Sequence, residues 1–225
     1  MVAWTDRLHN AGACSEVPDP TAGRSTRERI LYEASLLFRR SGYHGATTRD
    51  IAKAVGIRQP SLFHHFASKA AMVDALFESD LDHALDDARS LERTQASAAA
   101  RVFRYISDDI ERASSSPYDL SGVYRDDVLS DPDFAGWAAK RTALHAIIDS
   151  LIEQAIDSDE FQQVHPPVVR EMIIGALARV LSLYSGRGRT PVGLGSTVAS
   201  LLVRGLLTEP ATLDQVRHTA DALRH

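Results

Sequence analysis

One cysteine, Cys14, stands in 225 residues. No intramolecular disulfide can form, which suits a reducing compartment such as the cytoplasm. Cys14 has no thiolate-stabilising neighbour in sequence, which argues against a redox sensor. Long apolar runs are also missing. No stretch approaches the ~18 apolar residues of a membrane span. Residues 1–24 lack the apolar centre of a signal peptide. No alternating run bounded by turns suggests a strand, and no repeat recurs at a fixed period. Catalytic vocabulary is thin too, with no nucleophile elbow, phosphate loop or His-Glu-x-x-His pattern. These absences speak against membrane, disulfide-scaffold and enzyme readings, and no cofactor is implied.

What is present is an ordinary globular balance, 44% hydrophobic and 24% charged, with enough length for one or two domains. The net charge of −5 argues at first against a nucleic-acid partner, but its distribution reverses that. Residues 24–69 carry nine basic and three acidic side chains, a segment at +6, and the remainder carries −11. A small basic module joined to a larger acidic one suggests two functions in one chain.

Helical signals follow one another along the chain. Residues 1–24 have no periodicity and are expected to be a disordered tail. Ser25-Thr26-Arg27-Glu28 is a capping box, followed by Ile30, Leu31, Ala34, Leu37 and Phe38 at helical spacing. Gly42 is a good stop. Thr47-Thr48-Arg49-Asp50 starts a second helix, and Gly56 ends it in a short turn. Pro60 fits the first turn of a third, and Ser68 caps a fourth. Helix, glycine turn, helix over 47–66 is the helix-turn-helix layout. Further helices are expected over about 69–93, 96–113, 119–129, 133–157, 167–185, 194–208 and 211–223, punctuated by prolines. The expected fold class is all-α: a helix-turn-helix DNA-binding domain over 25–70, then a helical ligand-binding and dimerisation domain over 71–225.

Residues 26–77 carry several spaced motifs: Leu37-Phe38 then Gly42-Tyr43, Thr47-Thr48 before Ile51-Ala52, Gly56-Ile57, Ser61-Leu62-Phe63-His64-His65-Phe66, and Ser68-Lys69. This stretch resembles the DNA-binding domain of TetR-type transcriptional regulators. The second half has no comparably sharp motif, and only its helix count fits that family's effector-binding and dimerisation domain. The resemblance implies a homodimer that binds a double-stranded DNA operator and answers to a small molecule. Two departures stand out. Phe63 occupies a position where the family usually has tyrosine, and loses a phosphate hydrogen bond. Ala70-Ala71 stand where acidic residues are common.

The stretch Ile57–Lys69 decides between core, metal and DNA. His64 and His65 are adjacent, about 100° apart on a helix, and lack the i, i+4 spacing of a helical zinc pair. Leu62 and Phe66 belong to a core face. Gln59, Ser61, Phe63 and His64 then project outward, as suits a helix lying in a major groove. Arg49 can reach guanine or phosphate. Thr47 and Thr48 offer hydroxyls to phosphate beside a helix N-terminus. Gln59 can pair with adenine, Pro60 and Phe63 can meet thymine methyls, and Ser61 and His64 can donate to phosphate or base. Lys69 is expected to anchor a phosphate.

In the second half, Trp137, Arg141 and His145 fall on one helix face, and arginine and histidine are costly to bury without partners. A ligand pocket would explain them, with Tyr105 and Tyr124 as further lining and Arg179 serving pocket or interface. The expected effector is largely apolar, with an anionic group allowed. The apolar helices near 167–185 and 194–208 are expected to hold two subunits together. The helix from Ser68 is expected to continue past Phe77 and carry the effector's push to the head. The expected function is a ligand-responsive repressor acting as a homodimer on a palindromic operator, not an enzyme and not membrane-bound. A sequence-indifferent architectural protein is the rival.

Overall fold

The computed structural model describes residues 23–184 and 191–223. Cys14, most of the expected tail and the Gly-Arg-Gly-Arg connector lie outside the described residues. Helices dominate, and no strand occurs among the described residues beyond one isolated bridge between Phe161 and Leu207. The all-α expectation therefore holds. No described helix is long and apolar enough to cross a membrane.

The head is built from α1 (Thr26–Gly45), α2 (Thr48–Val55) and α3 (Gln59–Phe63), and α4 (Lys69–Glu78) leads from it into the body. The cap signals act as expected. Ser25 Oγ accepts from the Glu28 amide while Glu28 accepts from the Ser25 amide at 2.8 Å. Thr47 and Ser68 cap α2 and α4 through the Asp50 and Ala71 amides. Gly42, at φ 72°, interrupts α1, and Gly56, at φ 77°, closes α2; both take the left-handed conformation that glycine adopts without cost. Ile30, Leu31, Ala34, Phe38, Ile51, Ala52, Val55, Leu62 and Phe66 form the buried centre. Burying a side chain of this size contributes about 1.5–3 kcal/mol.

The body comprises α5 (Leu81–Arg93), α6 (Ala98–Ser115), α7 (Asp126–Leu129), α8 (Ala135–Asp157), α9 (Pro166–Tyr184), α10 (Leu194–Leu206) and α11 (Leu213–Ala222). α6 is its axis, packed by α5, α8, α9, α10 and α11. A Cβ at Gly195 would lie 2.2 Å from the Ser107 carbonyl oxygen, so α10 meets α6 backbone to backbone. Glu160 caps α6 by accepting from the Ala98 and Ala99 amides at 3.0 and 3.2 Å.

Two expected helices are not continuous. The span 69–93 breaks at Ser79–Asp80, where Asp80 adopts φ −135°, ψ −63°. The Asp80 carbonyl and carboxylate accept from Arg112, so its polar groups are spent on α6. The span 119–129 yields a single 3-10 turn, Leu120–Gly122, and the short α7. Asp119 starts that turn by accepting from the Ser121 amide, and the turn packs on α1. Local periodicity could not show either break, because remote partners impose both.

Candidate nucleic-acid interface and effector site

α2 and α3 enclose a groove of about 750 Å³, lined by Arg49, Asp50, Ala52, Lys53, Ile57, Arg58 and Gln59. Arg49, Lys53 and Arg58 are exposed and make no ion pair among the described residues, so their charge is available to a polyanion. Remote side chains hold the scaffold beneath. Arg29 Nη2 donates to the Val55 carbonyl at 2.8 Å, satisfying the end of α2. The Arg27 guanidinium lies 4.7 Å from the centre of the Phe66 ring.

The nine residues expected to meet DNA fall into two groups. Thr47, Arg49, Pro60, Ser61, Phe63 and His64 are exposed, while Thr48 and Gln59 are half-buried at the α2–α3 contact. Phe63 is 45% exposed, a large apolar ring that presents nearly half its surface to solvent. Gln59 Nε2 donates to Thr48 Oγ1 at 3.0 Å, which orients the amide. Lys69 stands apart. Its ammonium donates to the Tyr43 and Ala46 carbonyls at 2.6 and 2.9 Å and sits 4.2 Å from the Tyr43 ring centre. Burial lowers its pKa. The Lys69 ammonium, expected as a phosphate anchor, thus spends two of its three donors joining the end of α1 to the start of α4.

The six expected effector residues stand in different settings. Tyr105 is buried, and Tyr124 donates to Asp80 Oδ2 at 2.7 Å. Burial, aided by Asp109 for Tyr105 and by Asp80 for Tyr124, pushes both phenols well above their ordinary pKa. Trp137 Nε1 donates to Asp74 Oδ1 at 2.8 Å, and its ring stacks on Phe77 at 5.3 Å. Phe77 also meets Tyr124 edge-on at 5.3 Å, so these rings form a filled aromatic wall. Arg141 pairs with Asp126 at 3.5 Å. His145 is half-buried further along α8, and burial, then Arg170 and Arg141, lower its pKa. Arg179 is exposed on α9.

At the centre of the body lies a charged group that sequence reasoning missed. Arg112 donates to Asp80 Oδ1 at 2.7 Å, to the Asp80 carbonyl at 3.0 Å and to Asp109 Oδ1, and its Nε lies 3.8 Å from Asp87. Asp109 is buried, which raises its pKa to about 6 against the pull of Arg112. A signal existed: Tyr105, Asp109 and Arg112 lie at i, i+4 and i+7 on a helix whose neighbouring positions Val102, Phe103 and Ile106 are all apolar.

α9 and α10 leave apolar side chains uncovered. Val168, Met172 and Leu183 on α9 are exposed, as is Leu201 on α10, the last at 72%. A Cβ at Gly175 or Gly205 would meet nothing within 4 Å. Ala199, also on α10, is fully buried.

Among known families, the model described as "Bacterial regulatory proteins, tetR family" matches residues 30–76. The "Tetracyclin repressor-like, C-terminal domain" model matches residues 87–206, more than half of the chain. The chain belongs to the TetR family. Members of that family are DNA-binding transcription regulators, not enzymes. The chain is similar to the transcriptional repressor KstR2 of Rhodococcus jostii, 33% identical over 111 residues, 49% of this chain and 54% of that protein. The match thus spans about half of KstR2. Similarity to the transcriptional activator FasR of Mycolicibacterium smegmatis runs to 28% identity over 164 residues, 72% of this chain and 70% of FasR. The crystal structure of Mycobacterium smegmatis AmtR superposes with a TM-score of 0.72 at 27% identity, covering 90% of this chain and 97% of that one. In this TetR-family chain, α2 and α3 both lie within the stretch that the N-terminal family model matches.

Proposed function

We propose that this protein is a ligand-responsive repressor that binds a palindromic operator as a homodimer in the cytoplasm. The observation that carries the reading is the α2–α3 surface, where exposed Phe63, Ser61 and His64 stand beside unpaired Arg49, Lys53 and Arg58. Thr47, Thr48 and the cations contact phosphates, and Gln59, Pro60 and Phe63 read bases. The head over 25–70 reads DNA, and the body over 71–225 senses the effector and dimerises. Support for dimerisation comes from the exposed Val168, Met172, Leu183 and Leu201, an apolar stripe suited to a second copy across a two-fold axis. Arg179 lies on that face.

The effector is largely apolar and enters between α5, α6 and α8, against Tyr105, Tyr124 and Trp137. These side chains must part to admit it, and Arg141 or His145 at the rim can take an anionic group. KstR2 is a repressor and FasR an activator. Repression is the reading adopted. Selecting bound fragments from genomic DNA and footprinting them tests the whole. The expected result is protection of a palindrome, with loss of transcription when it overlaps a promoter. Uniform protection without sequence preference would point to an architectural protein instead.

A further inference from the structure

The segment between α6 and α7 touches the head at one end and the α4–α5 break at the other. Asp119 is buried and faces α1. Its Oδ2 accepts from Arg39 Nη1 at 2.9 Å, and its backbone amide donates to Ser35 Oγ at 3.1 Å. Three residues on, Gly122 is pressed against the same helix. A Cβ there would lie 2.3 Å from the Arg39 nitrogen and 2.4 Å from the Phe38 carbonyl carbon, so only glycine allows the approach. Tyr124 then turns to the other side. Its hydroxyl donates to Asp80 Oδ2, and its ring meets Phe77, the buried aromatic on α4. Between the two ends the chain is closed on itself. The Val123 and Tyr124 amides both donate to the Leu120 carbonyl, at 3.0 and 3.2 Å, and Val123 is fully buried.

We propose that residues 119–124 form a strap that locks the head to the body at two points and so sets the spacing at which a dimer presents its recognition helices. The strap rests on the dimeric DNA-reading proposal above and adds positioning residues to it: Asp119, Gly122 and Tyr124. α4 alone is a poor lever, because the helix breaks at Asp80. The strap bridges that break. One end grips α1 through Asp119, and the other grips the residue at the break. Arg112 of α6 grips the same Asp80, so a disturbance around Arg112 and Tyr105 reaches the head through the strap as well as through α4. Tyr124, read from sequence as effector lining, thus has its hydroxyl committed to transmission.

The test uses the full chain and a series of operators whose half-sites are spaced natively or with one base pair added or removed. Half-sites must match the dimer's geometry, so wild-type protein prefers native spacing. Asp119→Asn and Tyr124→Phe keep the shape and weaken one end of the strap each. Both variants are expected to lose about tenfold in affinity for native spacing and little for altered spacing, so that the preference between them collapses. A merely structural role would weaken all operators by one factor and leave the ratio unchanged, which overturns the proposal. A wild-type protein indifferent to spacing would overturn the dimeric reading itself. A DNA-free measurement then still judges the strap. Arg39→Ala and Tyr124→Phe act at its opposite ends, and the double variant should lose less thermal stability than the two single losses combined. Simple additivity would show that the ends are not linked.

Discussion

The head and the body solve opposite problems with their polar residues. In the head the functional groups come from one run of residues and stand in the open: Arg49, Lys53, Arg58, Ser61 and His64 are exposed around a groove. In the body the comparable groups come from three segments and are largely sealed: Asp80, Asp109, Arg112 and Tyr124 bond to one another beneath the surface. An exposed cation costs little and waits for a phosphate. A buried one must be matched within the fold, because desolvation is expensive. A polyanion can therefore meet the head's cations as they stand, whereas the body's charged group is already engaged within the fold.

The largest expected effect attacks the one part of the body that is exposed like the head. Leu201→Glu should leave each subunit folded, since Leu201 already faces solvent there. In the dimer it would bury an unpaired charge at a cost of about 3–5 kcal/mol per interface. Sedimentation should show monomers at concentrations where the wild type is dimeric, with operator binding lost. A Leu201→Glu dimer of unchanged stability would remove this face from the interface.

Next comes the sealed charge group, where pH is the probe. The pKa of Asp109 is raised to about 6 by burial, above its ordinary value of 3.8. The folded state then holds the proton more tightly than the unfolded state, so this group's contribution worsens as pH rises from about 4 to 6 and stays unfavourable above. At neutral pH the penalty is on the order of 2–3 kcal/mol. Asp109→Asn should therefore gain stability relative to the wild type as pH goes from 5 to 7.5, followed by thermal unfolding. A gap that shrank over that range would reverse the assignment.

Within the head, Gln59→Ala should cost about 1–3 kcal/mol at the cognate site and relax preference at one operator position. Selection of bound sequences checks it, and unchanged preference at every position would remove Gln59 from base readout. The smallest effect separates the two kinds of cation. Lys69→Ala leaves two carbonyls without a donor and should lower stability by about 1–3 kcal/mol. The salt dependence of binding should not change, whereas Lys53→Ala should flatten its slope by about 0.9. A flattened slope for Lys69→Ala would restore it as a phosphate contact.

Much of the head was legible because its determinants are local. Ser25, Thr47 and Ser68 cap helices that begin within the next residue, and Gly42 and Gly56 stop or interrupt theirs through their own backbone angles. The contacts of Lys69 were not legible, for the opposite reason. Its partners, the carbonyls of Tyr43 and Ala46, lie more than twenty residues away. The body's expected pocket suffered the same way. The face shared by Trp137, Arg141 and His145 was read on α8 alone, while Asp74, Asp126 and Arg170 determine what each of those side chains meets.

Sequence by itself determined the all-α class, the helix-turn-helix, the basic head against an acidic body, and an outward face of Ser61, Phe63 and His64. Those follow from period, caps and composition, which act over a few residues. Only the tertiary structure decided that the helix breaks at Asp80, that Gly122 must lie against α1, and that Arg112 gathers Asp80, the N-cap of α5, and Asp87 of α5 besides Asp109 of its own helix. A buried charge or a backbone contact takes its energy from whatever the fold brings to it, and the chain's local order carries no record of that partner.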